Sequence, residues 1–357
     1  MLFNPPSFQG NLQKKNYFEG WYLKHVTQVT EKDSSATTLA LIPGISLSKS
    51  SHLFVQLNLA TKEGISFSHY FTLPMEDFHF DTEKFQVQIG KNKFSLEGVE
   101  VDLEDENIHV QGKIEYSQIT NYPVSIFHPG IMGPFRYVPF MECYHGLVSA
   151  NHELKGNMSL HFKKKSESLP GLHTTISNTI ASRNQLNFDF QGGKGYIEKD
   201  WGKSFPSSWI WTQANSFFSK GKPAELSFMI SIAKIPWLGS SFVGFLGFVY
   251  WEGKHYPFAT YNFSKILKCK VFSEHLEILV SSGKFLFEFV IYRDDGSELT
   301  APRNGNMDRV IKESVQSHVE LKIFAKKNPS AVLVEAKSVG AGLEVSGSLE
   351  ELGLKQL

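Results

Sequence analysis

Apolar and polar residues alternate with a period of two along most of this chain. In residues 108–116 (IHVQGKIEY), the apolar side chains of Ile108, Val110 and Ile114 alternate with polar ones. Successive side chains of a β-strand point to opposite faces of its sheet, so this period is typical of a half-buried strand. Turn residues such as 294–296 (DDG) separate the runs, and long segments with a helical apolar stripe are missing. The sequence therefore predicts an all-β fold of roughly eighteen to twenty strands.

That number of strands exceeds what one small barrel uses. The alternation is interrupted in residues 163–177, where three consecutive lysines stand with serines, a proline and a glycine. A lysine run can bind phosphate, but a solvated hairpin or linker is the simpler interpretation. We therefore predict two domains, residues 1–168 and 169–357, each with roughly eight to ten strands, the size of a lipocalin-like antiparallel β-barrel. A barrel of that size can enclose one small apolar ligand.

Charge and cysteine content narrow the class of protein. Lys and Arg together number 36, as do Asp and Glu, so we predict no nucleic-acid partner and no polybasic membrane anchor. Two cysteines are too few for a disulfide framework and indicate a reducing compartment. A signal or transit peptide is not evident, which predicts a cytoplasmic protein. Transient contact with a membrane surface stays open, with residues 217–218 or 235–238 as a candidate apolar rim.

Several signatures of catalysis are missing from the sequence. It contains no nucleophile elbow, Walker loop, dinucleotide fingerprint or zinc-protease motif. The 13 histidines lack metal-ligand spacing, so we predict neither a metal nor a cofactor. Cys143 stands near His145 and could be a thiol nucleophile, but a buried structural cysteine is the simpler interpretation. The chemistry, if any, is expected to rest on acidic residues.

Three segments place acidic residues among aromatic ones. Glu198 and Asp200 share one face of a predicted strand, and Lys199 and Trp201 share the other. A carboxyl group held among rings can stay protonated near neutral pH. The simpler alternatives are that Asp200 caps a turn and that Glu19 pairs with a cation. The segments are residues 17–22 (YFEGWY), 138–146 (VPFMECYHG) and 195–206 (GYIEKDWGKSFP), the last followed by WIW at 209–211.

In order and spacing, these segments resemble the tocopherol cyclase family. The resemblance extends from residue 16 to residue 211, whereas no motif matches beyond about residue 261. It implies two lipocalin-like antiparallel β-barrels in tandem, as in the carotenoid hydratases. It also implies the closure of a prenylated quinol into a chromanol ring, with a hydrophobic prenylated small molecule as partner and no cofactor. The chain is similar to the bacterial members, which lack a transit peptide.

Ring closure requires a proton on a trisubstituted alkene, followed by capture of the tertiary cation by the phenol oxygen. A free carboxyl group, with a pKa of about 4, is ionised at neutral pH, but burial raises that pKa by up to about 3–5 units. We therefore assign Asp200 as the proton donor, with Glu198 or Glu142 raising its pKa by repulsion. The predicted substrate-binding residues come from the same segments: Trp21, Trp201, Trp209 and Trp211 around the cation, Tyr144 and His145 at the phenol, and Glu19 and Tyr196.

Two other functions fit the same residues. The barrels could carry an isoprenoid or quinone lipid without converting it, in which case the motifs would be packing residues. The acid could also admit water to the cation, which would make the protein a hydratase of an isoprenoid alkene.

Overall fold

The computed structural model describes residues 6–29, 35–125, 129–163 and 184–357. Within these ranges the chain forms twenty-four strands, more than the sequence predicts, because several strands of three or four residues are too short to show alternation. Helical structure in the same ranges is limited to short 3₁₀ turns, and no helix there is long and apolar enough to cross a bilayer. The turns are Met75–Asp77, Gly133–Tyr137, Thr260–Asn262 and Glu350–Leu352.

The first sheet is antiparallel and contains twelve strands. They are β1 (Tyr17–Val26), β2 (Thr38–Leu47), β3 (His52–Ala60), β4 (Ser66–Leu73), β5 (Phe78–Phe80), β6 (Gln86–Ile89), β7 (Asn92–Ser95), β8 (Gly98–Glu104), β9 (Ile108–Thr120), β10 (Cys143–Phe162), β11 (Gln185–Asp189) and β12 (Lys194–Gly202). The strand order is β4-β3-β2-β1-β12-β10-β9-β8-β7-β6-β5, with β11 beside β10. The central strand β12 thus lies between β1 and β10.

The second sheet also has twelve antiparallel strands. They are β13 (Trp209–Ala214), β14 (Phe217–Ser219), β15 (Lys222–Ala224), β16 (Leu226–Trp237), β17 (Ser240–Trp251), β18 (Lys254–Ala259), β19 (Lys265–Val271), β20 (His275–Ser282), β21 (Phe285–Tyr292), β22 (Ser297–Arg303), β23 (Asn306–Ala325) and β24 (Asn328–Ser346). The main order is β18-β17-β16-β13-β24-β23-β21-β20-β19, with β14 beside β24, β15 beside β14 and β22 beside β23.

Each sheet curls around its own apolar core. Trp21, Phe94 and Leu160 belong to one cluster that draws side chains from both ends of the first sheet. Phe228 and Phe287 belong to the corresponding cluster of the second sheet. Such curling buries one face of every strand and leaves few open edges. The predicted fold class is therefore confirmed: the chain is all-β, with two lipocalin-like antiparallel barrels in tandem.

The connection between the barrels differs from its predicted place in the chain. The predicted boundary at residues 168 and 169, and the interrupted segment after Lys163, lie within 164–183, outside the described residues. Strands β11 and β12 follow that segment, and both pair with β10 of the first sheet. The change from one sheet to the other lies between Gly202 and Trp209. Of the segment 195–206, residues 195–202 therefore belong to the first barrel and 203–206 to the connection.

The two barrels pack against each other through the outer faces of their sheets. A third apolar cluster joins Tyr22 and Tyr196 of the first sheet to Trp211 and Phe248 of the second. The hairpin of β22 and β23 reaches across the contact, where the Thr300 backbone N–H donates to the Gln56 side chain at 2.8 Å. Because side chains alternate along a strand, β1 and β12 send one set of residues into their own barrel and the other set into this contact.

Candidate active site

A cavity lies between the two barrels, with a volume of about 1130 Å³ including its open mouth. Strands β1, β10 and β12 form one wall, and β13, β16 and β17 form the opposite wall. The β22–β23 hairpin supplies further apolar side chains such as Leu299 and Ile311. The sequence predicts ligand space inside one barrel, but bulky side chains such as Trp21 and Phe228 occupy those interiors. The space that adjoins the predicted acidic residues is instead the one between the barrels.

Three titratable side chains meet on the first-barrel wall of this cavity. Glu198 and Asp200 alternate on β12 and face the cavity, and His145 lies beside them on β10, as the cross-strand partner of Asp200. His145 Nδ1 is 2.9 Å from Asp200 Oδ1, and its Nε2 is 3.5 Å from Glu198 Oε2. We call these three residues the acid cluster. The sequence predicts all three, although it assigns His145 to substrate binding rather than to the acid.

A glycine fixes the approach of the two strands that carry the acid cluster. Gly202 ends β12 with a φ of +146°, and a Cβ atom there would lie 2.2 Å from the backbone oxygen of Glu142. Only glycine accommodates both this φ and this contact. The segments 138–146 and 195–206 are therefore coupled through their backbones, which holds His145 beside Asp200.

Glu198 is a buried carboxyl group with an asymmetric set of partners. The Tyr196 hydroxyl donates to Oε2 at 2.6 Å, and Trp211 Nε1 donates to the same atom at 3.3 Å. No hydrogen bond reaches Oε1 from the part of the chain that the structure describes. Burial raises the pKa of Glu198 to about 7, against the opposing effect of His145 and with a further contribution from Asp200. Glu198 thus holds a proton near neutral pH, and Oε1 is the oxygen left to carry it.

His145 carries the opposite charge within the acid cluster. Burial alone disfavours its protonated form, but the carboxylates of Asp200 and Glu198 outweigh that effect and raise its pKa to about 9. The imidazolium form donates from Nδ1 to Asp200. His145 therefore connects Asp200 to Glu198, with one ring nitrogen facing each carboxyl group.

A third carboxyl group on the cavity wall comes from a strand in which the sequence revealed no motif. Glu344 of β24 lines the cavity and accepts a hydrogen bond from Trp209 Nε1 at 2.5 Å. Burial, together with the nearby Glu313 and Glu198, raises its pKa well above the ordinary value. The signal in the sequence is an acid enclosed by Leu343 and Val345 in an otherwise apolar run. Trp209 and Trp211 thus each hold one carboxyl group by the indole N–H while their rings line the cavity.

Several buried polar side chains, which the sequence did not predict for the site, form a hydrogen-bonded cluster behind this wall. The Tyr22 hydroxyl donates to Glu313 at 2.5 Å, and Asn58 Nδ2 donates to the same carboxyl group at 3.2 Å. Lys24 donates to the Gly340 backbone oxygen at 2.8 Å. Burial lowers the pKa of Lys24 to about 7, although Glu313 and Glu198 favour its charge. These contacts cross between the barrels and fix the position of Tyr22, which lines the cavity.

The cavity is not lined by four further residues that the sequence predicts for the site, namely Trp201, Tyr144, Trp21 and Glu142. Trp201 points into the first barrel and stacks on Tyr144, with the ring centroids 5.6 Å apart. Arg136 covers the Trp201 ring at 4.6 Å. Trp21 is fully buried in the first core, and Glu142 is exposed. Of the four predicted tryptophans, Trp209 and Trp211 line the cavity.

Glu19 occupies a closed site inside the first barrel. It forms an ion pair with Lys199 at 2.5 Å, and both side chains are 0% exposed. The backbone N–H groups of Gln9 and Gly10 donate to its two carboxylate oxygens at 2.8 and 2.9 Å. This geometry corresponds to the structural alternative for Glu19, an acid paired with a cation.

The acid cluster could also hold a metal ion. His145, Glu198 and Asp200 each offer one ligand atom, and these atoms lie within 4.8 Å of one another. One imidazole and two carboxylates form a donor set that divalent zinc accepts in proteins. The sequence predicts chemistry without a metal, and that remains a prediction.

An apolar rim lies near the cavity, on the hairpin of β16 and β17. Leu238 at its tip is 76% exposed, and Phe140 of the facing loop is 51% exposed. The two sides meet where Trp237 contacts Phe140, with centroids 5.4 Å apart. The alternative rim at 217–218 is less open, because Phe217 is buried. Contact of either rim with a membrane remains a prediction.

Known proteins match this chain in sequence and in fold. A model of the tocopherol cyclase-like family matches residues 172–347. The match includes Glu198, Asp200, Trp209, Trp211 and Glu344, and it continues past residue 261, where the motifs ended. The probable chloroplastic tocopherol cyclase of Oryza sativa subsp. japonica is 26% identical over 167 residues, which cover 45% of this chain and 35% of that protein. The aligned part thus spans about a third of the length of this curated relative.

Two solved structures share the fold at low sequence identity. A putative AttH from Nitrosomonas europaea superposes with a TM-score of 0.53 and 11% identity, covering 93% of each chain. CghA superposes with a TM-score of 0.55 and 10% identity, covering 97% of this chain and 95% of the other. At these identities the likeness concerns the fold alone. The sequence match over residues 172–347 and the curated relative support the tocopherol cyclase-like family for this chain.

Proposed function

We propose that this protein closes a prenylated quinol into a chromanol in the cavity between its barrels, and that Glu198 donates the initiating proton. The observation that carries the proposal is the state of Glu198. It is a buried carboxyl group with a pKa of about 7, its Oε2 is held by Tyr196 and Trp211, and it lines an apolar cavity. A general acid works best when its pKa is close to the operating pH.

Glu198 fits the donor role better than the two other carboxyl groups. Asp200 accepts a hydrogen bond from His145 and supports the charge of that imidazolium, so it is suited to accept a proton. Burial also raises the pKa of Glu344, but its hydrogen-bonding partner is Trp209 rather than a member of the acid cluster. Glu198 combines a pKa raised to about 7 with a contact to His145. The donor assigned to Asp200 from sequence is therefore moved by two residues in our proposal.

The reaction balances without an added reagent. The Glu198 proton adds to the less substituted carbon of the alkene, which leaves a tertiary cation on the neighbouring carbon. The phenol oxygen forms a bond to that cation and passes its own proton to the Asp200 carboxylate. Because His145 contacts both Asp200 and Glu198, it can return the proton to Glu198. The product is an isomer of the substrate, and the protein ends in its starting state.

The aromatic walls stabilise the cation and keep water away from it. Tyr22, Trp209 and Trp211 line the cavity beside the acid cluster. An aromatic face near a cation stabilises it by roughly 0.5–2 kcal/mol. The same rings keep water from the cation, which would otherwise give an alcohol. The remaining rate enhancement is expected from holding the phenol against the alkene.

The product of a single incubation tests this function. Purified protein is expected to convert a prenylated quinol into a product of unchanged mass, as analysed by chromatography and mass spectrometry. Conversion is expected to persist in EDTA, because each step uses protein carboxyl groups; loss of activity in EDTA with recovery by zinc would move the chemistry to a metal in the acid cluster. A product heavier by one water would indicate a hydratase, and unchanged bound ligand would indicate a carrier.

A further inference from the structure

The cavity between the barrels continues into a second apolar space. This space, which we call the tail pocket, has a volume of about 440 Å³ including its open part. It shares six wall residues with the larger cavity, so the two spaces adjoin over a wide boundary. The shared residues are Met132, Met141, Ser231, Ala233, Ile235 and Leu246.

The chemistry of the tail pocket is that of a hydrocarbon site. Beyond the shared boundary its walls include Phe135, Phe242 and Phe245, and none of its lining residues is an acidic or basic one. The hydroxyl groups of Thr260 and Tyr261, which line this part of the pocket, form hydrogen bonds within the protein. Tyr261 donates to the Ile131 backbone oxygen at 2.6 Å, and the Phe245 backbone N–H donates to Thr260 at 2.8 Å. Both hydroxyl hydrogens are thus engaged within the protein, since Thr260 also donates to the Phe245 backbone oxygen, and an apolar chain in the pocket would break none of these bonds.

The tail pocket is separate from the acid cluster. His145, Glu198 and Asp200 line the larger cavity but not the tail pocket. Phe135 and Phe242 of the tail pocket both contact Trp237, at centroid distances of 5.7 and 6.0 Å, and Trp237 belongs to the exposed hairpin. The pocket therefore extends from the reacting centre towards the apolar rim.

We propose that the tail pocket binds the isoprenoid tail of the substrate, the part beyond the ring-closing alkene. This inference rests on the proposed function for the identity of the head group, but it concerns a separate binding site. It predicts selectivity for long tails. A quinol with one isoprene unit fills only the larger cavity, whereas one with four units also places its remaining carbons among Phe135, Phe242 and Phe245.

Gly244 offers a way to fill the tail pocket without touching the acid cluster. A Cβ atom on residue 244 would lie 3.0 Å from Phe242 and 3.2 Å from Ile235, both of which line the tail pocket. Its backbone lies outside the left-handed region, so a larger residue causes no dihedral strain there. Gly244→Leu should occupy the space of the tail. Ser241→Leu adds a leucine to the exposed part of the same strand and serves as the control.

Binding of the two quinols, measured by quenching of tryptophan fluorescence, tests the inference independently of turnover. The unmodified protein is expected to bind the four-unit quinol at least about tenfold more tightly than the one-unit quinol, because burial of each additional methylene is favourable. Gly244→Leu is expected to remove this preference while binding of the one-unit quinol changes less than about twofold. Equal binding of both quinols to the unmodified protein, or an unchanged preference in Gly244→Leu, would overturn the inference.

A second measurement needs no variant and covers the case in which Gly244→Leu does not fold. A four-unit quinol with a photoreactive diazirine at the tail end should cross-link to peptides containing 242–246 or 260–261. Cross-links confined to the interior of either barrel would contradict the tail pocket. Binding and cross-linking without any conversion would support the tail pocket and refute the proposed cyclase function. Failure of the tail pocket can therefore be told apart from failure of the proposed function.

Discussion

Glu198→Gln is expected to lower kcat for ring closure by about 10²–10⁴-fold, the usual contribution of a positioned general acid. Glutamine keeps the size of the side chain and can still accept hydrogen bonds from Tyr196 and Trp211, but it has no proton to donate to an alkene. Substrate binding should change little, because the apolar walls are intact. The measurement is single-turnover conversion of a prenylated quinol at saturating protein.

Three further variants test whether the loss of activity is specific to Glu198. Glu115→Gln removes an exposed carboxylate on β9 and should leave the rate unchanged. Asp200→Asn removes the proton acceptor and should slow the reaction less than Glu198→Gln does, since the phenol can also lose its proton to the Glu198 carboxylate. If Glu344→Gln or Asp200→Asn abolished conversion while Glu198→Gln stayed within about threefold, the assignment of Glu198 as donor would be wrong.

Lys199→Met is expected to lower the free energy of unfolding by about 3–5 kcal/mol, the usual cost of leaving one partner of a buried ion pair alone. Lys199 and Glu19 are both fully buried and lie 2.5 Å apart. Methionine fills much of the same volume but leaves the Glu19 carboxylate without its cation inside the first barrel. Urea denaturation at pH 7, followed by tryptophan fluorescence, measures the change.

The control for this prediction is an exposed ion pair of similar length. Lys113 and Glu115 lie 2.8 Å apart, but their side chains are 62% and 54% exposed. Lys113→Met should leave the denaturation midpoint unchanged, because water solvates the remaining carboxylate. Equal destabilisation by both variants would mean that Glu19 is not the closed structural site described above.

Much of the fold follows from local sequence, because alternation reports which residues share a strand face. The sequence places Glu198 and Asp200 on one face of β12 and Lys199 and Trp201 on the other, and the structure has the same division. Alternation does not indicate which face enters the barrel and which meets the second barrel. Trp201, predicted to line the substrate site, therefore lies on the face of β12 opposite to the cavity-lining Glu198 and Asp200.

The remaining residues of the site depend on contacts between distant parts of the chain. Glu344 comes from β24, and its closeness to Glu198 is set by the pairing of β13 with β24 and by the packing of the two sheets. An acid between two apolar residues is a weak signal, since such residues also occur on half-exposed strands. Tyr22 illustrates the same limit, because Glu313, the acceptor of its hydroxyl, lies 291 residues later in the chain.

The most direct test of the account is a titration of the Glu198 carboxyl group, followed by the NMR signal of its side-chain carboxyl carbon and assigned by its absence in Glu198→Gln. Burial raises the pKa of this group, so its neutral form should persist up to a midpoint near pH 7, and kcat should fall above that pH as the proton is lost. A midpoint near the ordinary glutamate value of about 4.3 would mean that no neutral acid faces the cavity at working pH, and the cyclisation mechanism would fail.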